Sequence, residues 1–526
     1  MSGRVWPRLL LAVIVGVVLL GMASHRVFRR SAKLPARALS AVPEPLSLTT
    51  PTPSPDELSD LVAGANLVIC VIDAARVDHM GCYGYSRNTT PNIDRLAAES
   101  LVFEQHFCQY PQTKGSTASL FTALYPDTHL TFAWRTMDPS TFTLAEGLKA
   151  AGFHNAFFSS NPWASPETGI GEGFDWVRPV RRAVGGRRGA GNRAGGVAGP
   201  GAALQAPGRG IPAGTRRPET LLALAGEWLQ QAPPQPFSAY LHFMPPHTPY
   251  DAPEEMKQLF AGKPVPGYRR GKYPFRGIDD VGGASEHDSP GPDLVNLYDA
   301  NFLWADWAVG EVERLLREAG LWDNTLFILT ADHGETFGEH GYKWHPSCPY
   351  DEVIRIPLVI KFPGSGGPVG RIRALTETID LLPTIFDLYR LSYPSEHIQG
   401  RSLVPLIAGE VSKVRDYVFA RTSGDPPAYV VRDFHSALLL YYGRGGKLRA
   451  LYDLDADPGQ TRNVIKQQPE RAAELVEAFR AFAMAQRQPP LHFLDPDAPA
   501  ADLPAVPEVT MSEESRRELK DLGYLK

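Results

Sequence analysis

The chain has 526 residues, a formal net charge of −5, 43% hydrophobic and 21% charged residues. That composition is globular and excludes a disordered chain, and nothing in the near-balanced charge favours a nucleic-acid binder. The length exceeds one small domain and suits a large α/β body with an appendage.

Arg4 and Arg8 precede an unbroken apolar stretch from Leu9 to Ala23. Signal-peptide cores run ~7–15 residues and spanning helices need ~20. Gly21-Met22-Ala23 resembles a small-residue cleavage site, whereas Arg26, Arg29, Arg30 and Lys33 oppose export of the downstream chain. Residues 1–33 are therefore expected to be a signal or anchor segment, with cleavage and retention both open. The expected location is membrane-associated and extracytoplasmic. Residues 34–55, rich in Pro, Ser and Thr, read as a linker.

A catalytic body is expected over 56–409. Ser54-Pro55-Asp56-Glu57 is a capping-box pattern that starts a helix. The apolar run 67–72 then reads as a buried strand ending in Asp73. Thr90-Pro91 starts a second helix, with Ile93, Leu96, Ala97 and Leu101 expected on one face. Thr113 opens a helical stretch, and 117–124 reads as helix. Further strands are expected over 154–159, 237–243, 325–330 and 356–361, separated by helical segments such as 294–319. This alternation predicts a doubly wound, mostly parallel sheet covered on both faces.

Residues 181–217 hold eight Arg, eleven Gly and no acidic residue, and are expected to be a disordered basic insertion. Short strands near 417–421, 429–432, 436–442 and 448–454, then a helix near 470–485, predict a C-terminal α+β subdomain over 410–526. Four cysteines are too few for a disulfide framework. Cys70 lies within an apolar run and reads as core, while Cys82, Cys108 and Cys348 are candidate redox or disulfide residues.

Asp73 and Asp332-His333 lie about 260 residues apart, yet each closes an apolar strand. Carboxyl ends of parallel strands share the edge where ligands bind. The expectation is that Asp73, Asp332 and His333 converge as oxygen and imidazole ligands of a divalent ion, with the Thr113 hydroxyl beside them. Two Asp, one His and one hydroxyl suit Mn²⁺ or Zn²⁺ better than Ca²⁺, which remains admissible. This predicts a metal-assisted esterase acting on an anionic ester.

The segments Val71–Asp78, Gly81–Tyr85 and Thr90–Leu96 resemble the opening of the sulfatase family, within the alkaline-phosphatase-like superfamily. So, in order, do Ala118–Pro126, His242-Phe243 with Pro246–Tyr250, Asp332–Glu335 with Gly338–Gly341, Leu451–Leu454 with Asp457-Pro458, and Leu522–Leu525. The resemblance covers roughly 65–526 outside the basic insertion. It implies metal-ligand positions at Asp73, Asp332 and His333, and the nucleophile position at Thr113. Relatives carry Cys or Ser there within Cys-x-Pro-x-Arg, converted to formylglycine. Thr113–Thr117 lacks the Pro and the Arg, and threonine cannot give formylglycine. Ala74 replaces the second Asp of the usual pair. The resemblance also implies that His247 contacts the ester oxygens or leaving group, and that His345 binds the substrate anion or protonates the departing alcohol. His242, inside a strand, reads as packing or support. A threonine ester must be released by a second displacement, which phosphorus accepts readily; phosphate and phosphonate esters are therefore favoured over sulfate. Alternatives are a phosphoglycerol- or phosphoethanolamine-type transferase and a catalytically silent anion-binding member.

Overall fold

The computed structural model describes residues 46–486 apart from 133–134, 180–216, 267–291, 342, 346–348, 365, 424–426 and 444–445. The apolar N-terminal stretch, all but Arg217 of the basic insertion, Cys348 and the C-terminal Leu522–Leu525 motif lie outside the described residues.

The strands, in chain order, are β1 (Leu46–Leu48), β2 (Asn66–Ile72), β3 (Leu101–Phe107), β4 (His154–Ser159), β5 (Trp176–Pro179), β6 (Phe237–Phe243), β7 (Thr325–Ala331), β8 (Thr336–Phe337), β9 (Lys343–Trp344), β10 (Leu358–Lys361), β11 (Gly370–Glu377), β12 (Val418–Arg421), β13 (Tyr429–Arg432), β14 (Ser436–Gly443) and β15 (Gly446–Asp453). Nine of them form one sheet in the order β1-β11-β3-β10-β7-β2-β6-β4-β5. It is mostly parallel; β10 runs against β3 and β7, and β1 against β11. Every residue of β2, β6 and β7 is buried, as expected of central strands covered on both faces.

The strand period of two divides β2 between two cores. Val68, Cys70 and Ile72 pack with Leu221 and Trp228 of the helix Pro218–Gln230 and with Phe302 and Val309 of the helix Pro292–Glu318. Leu67, Ile69 and Val71 face the other way, packing with Leu58, Leu120, Leu148 and Leu381. The helix Pro55–Val62 begins with the expected reciprocal cap, Glu57 Oε2 accepting from the Ser54 N–H at 2.7 Å.

Three local expectations change. The helix at Pro91 stops at Ala97, and Leu101 begins β3. Leu101, Val102 and Phe103 are all buried in the sheet, and that burial outweighs the helical spacing from Ile93. Part of the expected linker is ordered: Leu46–Leu48 pairs with Ile372–Gly370, its leucines packing on the second core. The segment from Ile356 is a strand only from Leu358.

The C-terminal sheet, β12-β13-β14-β15, is antiparallel throughout. Val430, Leu439 and Ala450 join the main core. Tyr429, Leu438 and Leu440 on the other face are covered by Leu475 and Phe479 of the helix Pro469–Met484. Buried Arg415 bridges Glu377 and Asp380, beside Tyr125. Cys70 is core, as expected; Cys82 and Cys108 are unpaired thiols. Burial pushes Cys82 up to about 12, which removes the thiolate character a redox residue needs. Among the described residues no helix is long and apolar enough to cross a membrane.

Candidate active site

The register of three adjacent strands builds the site. Ile72 of β2 lies opposite Phe243 of β6 and Ala331 of β7. Asp73 and Asp332 are each the next residue, so the two carboxylates emerge side by side. His242 sits one step before Phe243 and opposite Ser159 of β4. The segment after β4 brings Asn161 to the same place. Thr113 arrives from beyond β3 as the first residue of the helix Thr113–Thr122. The structure thus brings Asp73, Thr113, Asp332 and His333 together.

The backbone fixes one oxygen of Asp332 and leaves the other bare. Oδ1 accepts from the N–H groups of Ala74 at 3.1 Å and His333 at 2.8 Å. Oδ2 is buried with no hydrogen-bond partner. Ala74 adopts φ 59°, a left-handed conformation that an alanine enters at a cost. Its carbonyl is held by the Tyr298 hydroxyl at 2.7 Å, and that hydroxyl accepts from the Arg76 N–H at 3.0 Å. Asp73 shows the same division: Oδ2 accepts from Asn161 Nδ2 at 2.5 Å, while Oδ1 is buried without a hydrogen-bond partner.

His333 Nε2 lies 3.7 Å from Asp73 Oδ1 and 3.5 Å from Asp332 Oδ2. Its Nδ1 is 2.8 Å from the Gly334 carbonyl. A carbonyl only accepts, so Nδ1 carries a hydrogen, and Nε2 is the ring nitrogen turned toward the carboxylates. A β-carbon at Gly334 would overlap the Glu352 carbonyl, so only glycine lets this turn pass so close. Two buried carboxylate oxygens without hydrogen-bond partners, beside an imidazole nitrogen, are costly alone and satisfied by a cation. The donor set therefore fits a divalent ion.

Thr113 Oγ1 is 3.5 Å from His333 Nε2 and accepts from Asn161 Nδ2 at 3.0 Å. The Asn161 amide thus donates to the hydroxyl and to Asp73 together. All ten residues of the Thr113 helix are buried, and Gly115 lets it pack on the Tyr110 ring, which a β-carbon would strike. The helix N-terminus turns its free N–H groups and positive dipole end toward the site, which favours an anion. Lys114 is buried with its ammonium 5.1 Å from the Trp163 ring centroid, and burial pulls it down to about 7.

His247 and His345 do not join the Asp73 cluster; with Glu335 they form a second one beside it. His333 and His345 stack with ring centroids 4.3 Å apart, and His247 lies 5.1 Å from His345. Burial raises the Glu335 carboxyl to about 7 and lowers His345 to about 3. Burial also opposes ionisation of Asp73, yet His247, His242 and His333 hold its carboxyl well below the usual range.

Asn161 and Glu335 escaped the sequence reading, and His242, read as packing or support, gives support. His242 is more than a packing residue: its Nε2 is 3.4 Å from Asp73 Oδ2 and 3.6 Å from Asp332 Oδ2, while Nδ1 meets the Tyr240 hydroxyl at 2.9 Å. Both carboxylates raise its pKa against burial. Asn161 carried one usable signal, a polar residue just past the carboxyl end of a parallel strand.

A mostly parallel sheet with this pair of carboxylates, imidazole and hydroxyl at its carboxyl edge defines an alkaline-phosphatase-like fold. The sulfatase family model matches residues 65–391, and the model of the N-sulphoglucosamine sulphohydrolase C-terminal region matches 338–485. The chain belongs to the sulfatase family. It is 23% identical to an arylsulfatase of Clostridium perfringens over 475 residues, covering 80% of this chain and 94% of that protein. A multifunctional alkaline phosphatase superfamily protein of Trinickia caryophylli is 26% identical over 408 residues, 65% of this chain and 77% of that protein. Among solved structures, the phosphonate monoester hydrolase of Agrobacterium radiobacter superposes with a TM-score of 0.63 at 24% identity, covering 80% of this chain and 95% of that one.

Proposed function

We propose that the chain hydrolyses a sulfate, phosphate or phosphonate ester through Thr113, with phosphorus esters preferred. The observation that carries this reading is the Thr113 hydroxyl, held 3.0 Å from Asn161 Nδ2 and 3.5 Å from His333 Nε2 at the sheet edge. Relatives named arylsulfatase and phosphonate monoester hydrolase support both ester classes.

Asp73, Asp332 and His333 would hold one divalent ion, Mn²⁺ or Zn²⁺ by donor set, which supplies Lewis-acid activation of the hydroxyl and neutralises charge on the transferred group. Asn161 fixes the Thr113 oxygen and leaves a lone pair for in-line attack on phosphorus or sulfur. The N-terminus of the Thr113 helix stabilises the anionic ester oxygens. Charge on the departing alcohol develops against the cluster of His247, Glu335 and His345. Water then attacks the covalent ester of Thr113, releasing the sulfuric, phosphoric or phosphonic acid and restoring the Thr113 hydroxyl. Formylglycine chemistry plays no part, because threonine is a secondary alcohol.

Thr113→Ala should abolish turnover of aryl phosphate, phosphonate and sulfate substrates while leaving metal content intact; full activity in that variant would exclude the nucleophile. We also propose, from the sequence of residues 1–33 as an anchor or a cleaved signal peptide, a membrane-associated, extracytoplasmic location. Fractionation and protease accessibility of the full chain against a form lacking 1–33 test it, and identical partitioning removes it.

A further inference from the structure

The long helix Pro292–Glu318 contributes no residue to the site, yet one of its turns holds two of the loops that carry it. Tyr298, Asp299 and Asn301 are completely buried, and polar groups out of water are costly unless bonded. Their hydrogen bonds all run outward to loops.

Asn301 holds the segment that follows β6. Its Nδ2 donates to the Pro249 carbonyl at 3.1 Å and to the His247 carbonyl at 3.4 Å, and its Oδ1 accepts from the Ala252 N–H at 2.9 Å. One amide thus takes up three backbone groups of that loop. The His247 ring turns Nδ1 to the Thr248 carbonyl at 2.7 Å, so its direction is set by the same stretch of backbone that Asn301 pins.

Tyr298, one turn earlier, holds the turn that follows β2. Its hydroxyl donates to the Ala74 carbonyl at 2.7 Å and accepts from the Arg76 N–H at 3.0 Å, across a residue kept at φ 59°. The Ala74 N–H in turn fixes Asp332 Oδ1 at 3.1 Å. Loosening this turn would therefore reach both carboxylates, Asp73 as the preceding residue and Asp332 through that N–H. Asp299 anchors the same stretch of helix, with Oδ1 2.7 Å from His79 Nδ1 and Oδ2 accepting from the Tyr85 hydroxyl at 2.8 Å.

We infer that this turn of the helix braces the site from outside the sheet. Tyr298 is a positioning residue for the carboxylate pair, and Asn301 is a positioning residue for His247. One helix thereby sets the part of the site that would hold the cation and the part that faces the departing alcohol. The Asn301 assignment rests on the ester-hydrolase reading; the Tyr298 assignment rests on the cation site alone.

Two measurements on the full-length protein test this. In the first, Mn²⁺ is titrated calorimetrically into chelator-stripped wild type and Tyr298→Phe. The variant keeps the ring that packs on Phe302 and Phe337, with centroids 5.7 and 4.8 Å away, and loses only the hydroxyl. Its Kd should rise about 10- to 100-fold, the usual effect of removing a group that orients a metal ligand. An unchanged Kd, or a wild type that binds no Mn²⁺, overturns the Tyr298 assignment. In the second, kcat/KM is measured for aryl phosphonates or sulfates whose phenols differ in acidity, using Asn301→Ala, His247→Ala and the double variant. Asn301→Ala should lose up to about 100-fold on the least acidic phenol and far less on the most acidic. It should add nothing once His247 is gone, because the two residues act through one group. An equal loss on every phenol, or a loss that persists in full without His247, marks a merely structural amide and overturns the Asn301 assignment. Wild-type kinetics in His247→Ala instead overturn the leaving-group reading of His247, and the Asn301 assignment with it. Asn301→Ser, which keeps one short donor, takes the place of Asn301→Ala if that variant does not fold. If wild type turns over neither ester, the Mn²⁺ titration alone decides.

Discussion

Asn161→Ala separates positioning of the nucleophile from cation binding. The substitution removes an amide that donates at 2.5 Å to Asp73 Oδ2 and at 3.0 Å to Thr113 Oγ1. A hydrogen bond to an ionised group contributes about 1.5–3 kcal/mol and one to a neutral hydroxyl about 0.5–1.5 kcal/mol. Asp73 stays anchored by its strand and by His242 Nε2 at 3.4 Å, so most of the first loss falls on ground-state order. The hydroxyl, however, is freed to rotate away from the ester. A transition-state loss of about 1.4–2.8 kcal/mol corresponds to a roughly 10- to 100-fold fall in kcat/KM. Steady-state kinetics on an aryl phosphonate and an aryl sulfate, with metal content measured on the same samples, read this directly. Metal should remain at the wild-type level because Asp73, Asp332 and His333 are intact. A folded Asn161→Ala enzyme within twofold of wild type would refute the positioning argument.

Thr113→Ser keeps the hydroxyl and should retain measurable turnover, unlike Thr113→Ala, by the same assays. Asp332→Asn weakens a ligand, and elemental analysis should find the ion lost together with activity. Arg415→Leu strands two buried carboxylates, Glu377 and Asp380, and should destabilise the fold by about 3–5 kcal/mol in urea unfolding. Lys114 gives a pH signature. Its folded pKa of about 7 lies below the ordinary 10.5, so between those values the unfolded chain binds a proton that the native chain does not. Stability should therefore gain with rising pH across that window, by up to a few kcal/mol from this group. Lys114→Met should flatten the profile; unchanged slopes would show that Lys114 does not titrate there.

The central strands were legible because β2 and β7 are mostly apolar runs ending in chemically distinctive residues, and β6 is apolar apart from Ser238 and His242. Asp73, Asp332 and His333 could be placed together by one topological rule, since parallel neighbours share a carboxyl edge. What failed was local competition. Leu101 continues the helical spacing of Ile93 and Ala97, yet a short Pro-initiated helix gains less than a strand buried in the sheet. Leu46–Leu48 looked like linker because its pairing partner lies more than 300 residues away. His242 was undervalued because a strand-interior histidine has no local pattern to mark it; its meaning comes from the ends of β2 and β7. Asn161 depends on a loop path that no periodicity encodes. The grouping of His247 and His345 with Glu335 rather than with Asp73 likewise comes from tertiary placement.

The shared register of β2, β6 and β7 has a mechanical consequence. The cation would be gripped by side chains hung from neighbouring rungs of one ladder, so it can bind tightly only while those rungs stay aligned. Loading then works as a rivet through the middle of the sheet, and metal-replete protein should melt in one cooperative step at a higher Tm than the stripped form. Slippage of β7 relative to β2 would spill the ion before the rest of the molecule came apart.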